Sequence, residues 1–200
     1  MAEPIVFPGV VEWSGENPGV SLKTDPNGPF TALASFFRVV LSPHGRGIAL
    51  VLAQAPQAAD AERNVVITDN EPMARWLIEN YVSHFGAWKP LPALQSLRFI
   101  PLDAATVEGD ALSDYAEVVS GGGMTVRLRW KGLGKPFCFA FGPEHSATGK
   151  HHMPSLFVGC AEASIEVDGK ALPGKPIPRK VAGHDISTAM LAFSETWIRV

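Results

Sequence analysis

The chain is short of cysteine, of net charge and of long apolar runs, and each shortage removes a class of protein. Two cysteines, Cys138 and Cys160, in 200 residues are too few for the disulfide framework of a small secreted domain. Both lie in apolar, strand-like runs and are expected as buried free thiols. Lys and Arg total 17 against 20 Asp and Glu, a net charge of −3, so no basic field is available to hold a phosphate backbone. Nucleic acid is set aside as a partner. No apolar stretch reaches the roughly 18 residues that cross a bilayer, because Arg38, Gln54 and Gly142 interrupt the longest runs. The opening Met-Ala-Glu-Pro-Ile-Val-Phe-Pro lacks the basic start and apolar core of a secretory signal. The expectation is a cytoplasmic protein with no membrane partner.

The familiar catalytic signatures are missing too. Neither a His-Glu-x-x-His helix nor a Cys-x-x-Cys pair is present, which leaves out the common metal-site spacings. Ser-Ala-Thr-Gly-Lys150 superficially suggests a phosphate cradle. It fails because six residues separate Gly142 from Gly149, and His151 stands where a magnesium-binding hydroxyl is needed. Without a Gly-x-Ser-x-Gly elbow or alternating strands and helices, an α/β-hydrolase is also disfavoured. No organic cofactor is implied.

What the chain does have is 19 glycines and 17 prolines, set between runs of alternating polarity. In Met124-Thr-Val-Arg-Leu-Arg-Trp130-Lys every even position is apolar and every odd one polar, the pattern of a strand with one buried face. Phe137–Phe141, Leu156–Cys160 and Ala163–Val167 follow suit, and Asp168-Gly169 suits a type I′ hairpin whose return strand begins near Val181. Further strands are expected near residues 5–13, 30–41, 47–54, 64–68, 97–101, 115–119 and 188–200. One helix is expected over Glu71–Phe85: Asp69 or Asn70 caps it, Met73, Trp76, Leu77, Asn80, Tyr81 and His84 recur at helical spacing, and Gly86 stops it. Residues 15–29 and 142–154 read as loops. The pattern therefore predicts one β-rich domain over 1–200, an antiparallel barrel or double sheet of about ten strands with one mid-chain helix.

Three of the six histidines, His145, His151 and His152, fall with Glu144 and Lys150 in the second loop. A neutral imidazole beside a carboxylate moves protons near neutral pH, and three imidazoles are also metal-ligand types. A solvated polar loop is the plain alternative. In the last strand Glu195 is in phase with Leu191, Phe193 and Trp197, where desolvation would raise its pKa; Arg38 is likewise in phase with Phe36 and Val40. The two are read as groups lining a cavity or as a structural ion pair. Five tryptophans and eleven phenylalanines supply an aromatic interior for an apolar or aromatic small molecule. Its expected lining is Phe36, Trp130, Phe139, Phe141, Phe193 and Trp197, with Tyr81 and His84 from the helix.

The Ile165-Glu-Val-Asp-Gly-Lys170 hairpin and the terminal Phe193-Ser-Glu-Thr-Trp197 strand give the C-terminal half a topology similar to lipocalin-like, calycin-type barrels, which include carotenoid-hydratase-like enzymes. The lipocalin Gly-x-Trp opening is not met, since Trp13 follows Val-Glu. The resemblance implies a barrel around a hydrophobic ligand and carries over no functional residue. Three functions are expected. The first is a cofactor-independent lyase or isomerase, in which a histidine of the loop and Glu195 are acid and base and Arg38 holds an oxyanion. The second is a non-catalytic carrier, and the third a His-ligated metal enzyme. The chain acts alone or as a homodimer.

Overall fold

The computed structural model describes residues 7–200. Its strands, in chain order, are β1 (Val10–Glu16), β2 (Gly19–Leu22), β3 (Ala32–Leu41), β4 (Gly47–Ala53), β5 (Asn64–Thr68), β6 (Arg98–Pro101), β7 (Ala104–Gly109), β8 (Asp114–Gly121), β9 (Met124–Leu133) and β10 (Phe137–Phe141). They continue with β11 (His151–Val167), β12 (Lys170–Ala171), β13 (Pro178–Val181), β14 (His184–Ser187) and β15 (Ala189–Arg199), and the one α-helix is α1 (Glu71–Asn80). The fold is mainly β, as the alternating runs predict. Thirteen strands form one sheet along the path β6-β5-β4-β3-β1-β15-β11-β9-β8-β7; β2 joins β3 and β15, β10 and β12 attach to β11, and β13–β14 stand apart as a ribbon.

The sheet is mixed rather than purely antiparallel. β5 and β6 pair in parallel, because α1 and the segment after it carry the chain back across the sheet before β6, as parallel neighbours require. Asn70 caps α1 by accepting from the Met73 backbone N–H, and the helix stops at Asn80, with a 3-10 turn over Val82–His84 following. It is thus shorter than the helical spacing suggests. Two loop assignments also change. β2 lies inside 15–29, and the second loop ends at Lys150, so that His151 and His152 open β11. The Asp168-Gly169 turn has φ of 50° and 76°, as a type I′ hairpin needs. Its return strand is only Lys170–Ala171, while Pro178–Val181 pairs instead with β14.

β3 is buried on both faces, which explains its near-continuous apolar run. Ala34 and Phe36 face a first core with Leu50, Ile67, Val119, Leu128, Trp130 and Leu191. Leu33, Phe37 and Val39 face a second core, where Met73, Leu77, Tyr81 and Trp88 cover the other side of the sheet. β1 is pinched between β15 and β3: a Cβ on Gly15 would lie 2.2 Å from the Arg38 carbonyl oxygen, so only glycine permits that approach. The cysteines depart from expectation. Cys138 is exposed on β10, alternating outward against its phenylalanines, and Cys160 is half-buried, where burial pushes its thiol up to about 11.

Arg38 belongs to this framework. Its guanidinium grips the fully buried Glu117 in two parallel bonds of 3.1 and 3.0 Å and also donates to Glu16. The Tyr115 hydroxyl donates to the same Glu117 carboxylate at 2.6 Å. Burial pushes the Glu117 carboxyl up against these donors. Removing one partner of such a pair leaves a buried charge unmatched, whereas replacing both with apolar groups is often tolerated. Arg38→Ala is therefore expected to cost about 3–5 kcal/mol in urea unfolding. Most of that loss should return in the Arg38→Met/Glu117→Leu double variant.

Candidate functional site

A cavity of about 470 Å³ opens beside the second core. Trp88, Met153 and Trp197 of that core line it, together with the partly buried Phe30, Phe85, Phe139 and Phe141; of the first core only Ala34 does. Phe157, Met190, Asn17 and Glu195 complete the inner wall, while His145, Ala147, Arg179 and Val181 stand among the lining residues contributed by the loop before β11 and by β13. The aromatic side chains touch one another. Phe139 lies 4.9 Å from Phe141 and 4.8 Å from Phe157 between ring centres, and Phe85 stacks on Trp197 at 6.0 Å. Trp88 is fixed through its indole N–H, which donates to Ser35 Oγ at 3.1 Å.

Glu195 is the buried charge-bearing group of this wall, 2% exposed. Trp197 Nε1 and Asn17 Nδ2 both donate to its Oε1, at 2.6 and 3.3 Å. No donor among the described residues reaches Oε2. With both donors on one oxygen, the proton of the neutral acid resides on Oε2, and the ionised form presents free lone pairs there. Burial pushes the carboxyl up to about 7, against the pull of the Trp197 and Asn17 hydrogen bonds. The group therefore changes charge near neutral pH, the range in which acid and base roles exchange.

A shift of register brings Glu195 to this face. Pairing with β11 runs Ser155↔Glu195 and Leu156↔Ser194, then Phe157↔Ala192, so that Phe193 is an extra residue. Such a bulge reverses the alternation. Leu191 and Phe193 consequently pack in the first core and Trp197 in the second. Glu195 shares its surroundings with Trp197 but not with the other two, which corrects the phase assumed from a regular strand. The bulge also positions Asn17, whose backbone N–H donates to the Ala192 carbonyl at 2.9 Å.

His151 forms a second, separate cluster. Nε2 lies 2.9 Å from Glu12 Oε2 and Nδ1 2.6 Å from Thr148 Oγ1, while Tyr81 donates to Glu12 at 2.7 Å and Arg199 to the other carboxylate oxygen at 2.7 Å. Burial lowers the His151 pKa more than Glu12 raises it. Although burial opposes it, the donors His151, Tyr81 and Arg199 hold the Glu12 carboxyl below its usual range. The arrangement makes a neutral imidazole that donates from Nε2 to Glu12 and accepts the Thr148 hydroxyl at Nδ1. It pins the loop to the sheet behind Trp197, whose ring lies 5.6 Å from that of His151.

Of the residues singled out in the sequence, the cavity gathers Glu195, His145, Phe139, Phe141 and Trp197. The rest lie elsewhere. His152 alternates away from His151 and lies 5.2 Å from the Phe7 ring; Arg38 is held by Glu117; Phe36, Trp130 and Phe193 belong to the first core; Tyr81 is in the second; and His84 is exposed in the 3-10 turn. The three loop histidines do not converge, and among the described residues no three His, Cys, Asp or Glu side chains gather as metal ligands would. Glu195 and Arg38 do not pair with each other. Asn17, Ser35, Trp88, Ser155 and Glu12 gave no signal in the sequence beyond residue type. No protein-family model, curated protein or solved structure matches this chain.

The Glu195 environment sets a pH dependence of stability. A carboxyl raised in the folded state to about 7 favours folding while protonated, and that contribution is lost as pH rises from the unfolded value through 7. Compared with Glu195→Gln, which does not titrate, the wild type should lose about 3 kcal/mol between pH 4.5 and pH 8. Urea unfolding across that range measures the difference. Parallel curves for the two proteins would show that Glu195 titrates normally.

Proposed function

We propose that the protein binds a small, predominantly apolar or aromatic molecule in the cavity beside the second core, with the polar end of that molecule against Glu195. One observation carries this reading: an aromatic wall of ligand-sized volume has a single carboxyl set into it, with one oxygen satisfied and the other open. Cavities of a few hundred Å³, lined mainly by apolar side chains with a few placed polar groups, are the common form of small-molecule site. The sheet is read at the same time as a lipocalin-like barrel. Supporting this, the link from β6 to β7 touches both ends of the sheet, Leu102 N–H donating to Thr68 O at 2.9 Å and Asp103 N–H to Ser120 O at 2.8 Å. The cavity then lies outside the barrel wall rather than in its mouth.

A second reading adds catalysis. A carboxyl near 7 with an open oxygen suits general acid/base transfer, which fits a cofactor-independent lyase or isomerase better than a passive carrier. In it Glu195 is the proton donor or acceptor and His145, an exposed residue of the lining, is its partner. His151, sealed in its own cluster, is a positioning residue.

Saturable binding of a neutral apolar dye, Nile red, tests the site directly. One dye per chain is expected, displaced by small aromatic competitors, with Phe139→Ala weakening it about tenfold through lost apolar contact. Phe193→Leu, on the opposite side of the sheet, should leave the affinity unchanged. Equal effects of both substitutions, or no saturable binding, would remove the cavity as the ligand site.

A further inference from the structure

The polar atoms bordering the cavity are unequally satisfied. Its buried indole donors are spent, Trp88 Nε1 on Ser35 and Trp197 Nε1 on Glu195, and Asn17 Nδ2 is used as well. The acceptors are not. Glu195 Oε2 and Asn17 Oδ1 receive no hydrogen bond from any described residue, and behind this lining the buried Ser155 hydroxyl has no partner among them. These atoms are close by construction. Ser155 is the cross-strand neighbour of Glu195 on one side and of Phe139 on the other, so Phe139, Ser155 and Glu195 form a row at the roughly 4.8 Å spacing of adjacent strands. Asn17 reaches the same carboxyl from the turn after β1.

We propose that the ligand of this cavity carries a protonated amine, received by Glu195 and Asn17 and flanked by the phenylalanine cluster. The proposal rests on the reading of the cavity as a small-molecule site and names the chemical class of its occupant. An ammonium brings several N–H donors and no acceptor, which complements a wall with unused acceptors. Its charge offsets the carboxylate, to which no cationic side chain among the described residues is hydrogen-bonded. Arg38 is engaged by Glu117 and Glu16, and Arg179, which also lines the cavity, directs its guanidinium to the Ser187 carbonyl at 3.1 Å and to Met190 Sδ at 3.6 Å rather than to Glu195. Phe139, Phe141 and Phe157 add π faces that attract an organic cation and accommodate an apolar body. A carboxylate head would meet Glu195 with like charge. An alcohol would engage one acceptor without supplying the compensating charge.

Three probes with one aromatic body separate these cases: phenethylammonium, 2-phenylethanol and phenylacetate, titrated calorimetrically into the full chain at pH 8. The ammonium should bind at least about tenfold tighter than the alcohol, and phenylacetate should be weakest. Glu195→Gln should bring the amine-to-alcohol ratio close to one. Phe139→Leu retains the carboxyl and should reduce the ratio by about threefold through loss of the π face. Should Glu195→Gln fail to fold by circular dichroism, Asn17→Ala, which removes the Oδ1 acceptor and is expected to weaken the ammonium selectively, carries the test with Phe139→Leu. Equal binding of amine and alcohol to the wild type, or a preference that survives these substitutions, overturns the proposal. Nile red uptake without ammonium binding overturns it while leaving the cavity intact as an apolar site; failure of Nile red and all three probes to bind removes the small-molecule reading as well.

Discussion

The extra residue in the last strand is the constraint on which the arrangement depends. Without the bulge at Phe193, strict alternation along β15 would send Leu191, Phe193, Glu195 and Trp197 to one face of the sheet. With it, the strand serves two cores, the aliphatic and aromatic pair before the break filling the first and Trp197 after it joining the second. Glu195 follows Trp197. The same break leaves the Ala192 carbonyl for the Asn17 backbone, so one irregularity sets the carboxyl and one of its two donors. Pro154 adds a second interruption nearby. It cannot donate to a ladder, and the β11–β15 pairing passes from His152↔Ile198 to Ser155↔Glu195 without bridging the residues between.

A buried carboxyl is costly unless its lone pairs are met. Three acidic groups in this protein meet that demand differently. Glu117 has Arg38 in two bonds and Tyr115 in a third; Glu12 has His151, Tyr81 and Arg199. Both are enclosed by charged or strongly polar partners and act as ties between strands distant in sequence. Glu195 has two neutral donors on one oxygen and none on the other. Burial therefore raises its pKa to about 7. The same physics thus distinguishes acids that tie strands together from one with an oxygen left open at the cavity wall.

Much of the fold was legible because alternation is a local property. The β9 run, the Asp168-Gly169 turn and the Asn70 cap each follow from a few adjacent residues, and each is present. The bulge was not legible: Phe193-Ser-Glu195-Thr-Trp197 alternates as cleanly as a regular strand, and only the partner strand reveals the extra residue. Burial of Glu195 could be read from its apolar neighbours, but the wrong neighbours suggested it. Arg38 illustrates the converse. Its placement in an apolar run suggested Glu195 as its ionic partner, whereas the partner is Glu117, 79 residues away, and nothing local in the sequence joins them. The loop histidines misled for a similar reason, since their proximity in sequence ends where β11 begins and alternation turns His151 and His152 to opposite sides.

The two saturated clusters also explain why the open carboxyl can persist. Trp197 is held on several sides, by Tyr81 at 5.0 Å, Phe85 at 6.0 Å, His151 at 5.6 Å and Trp13 at 6.4 Å between ring centres. Its indole N–H is therefore aimed at Glu195 by packing, and Tyr81 and His151 are themselves locked by Glu12. Strain or motion at Glu195 would have to displace this packed aromatic group. A preorganised polar atom in an aromatic wall costs little reorganisation on binding. The stability invested in the Glu12 and Glu117 clusters thus supports a carboxyl that by itself weakens the fold at neutral pH, and under the proposed small-molecule reading the cavity is the place where that cost becomes useful.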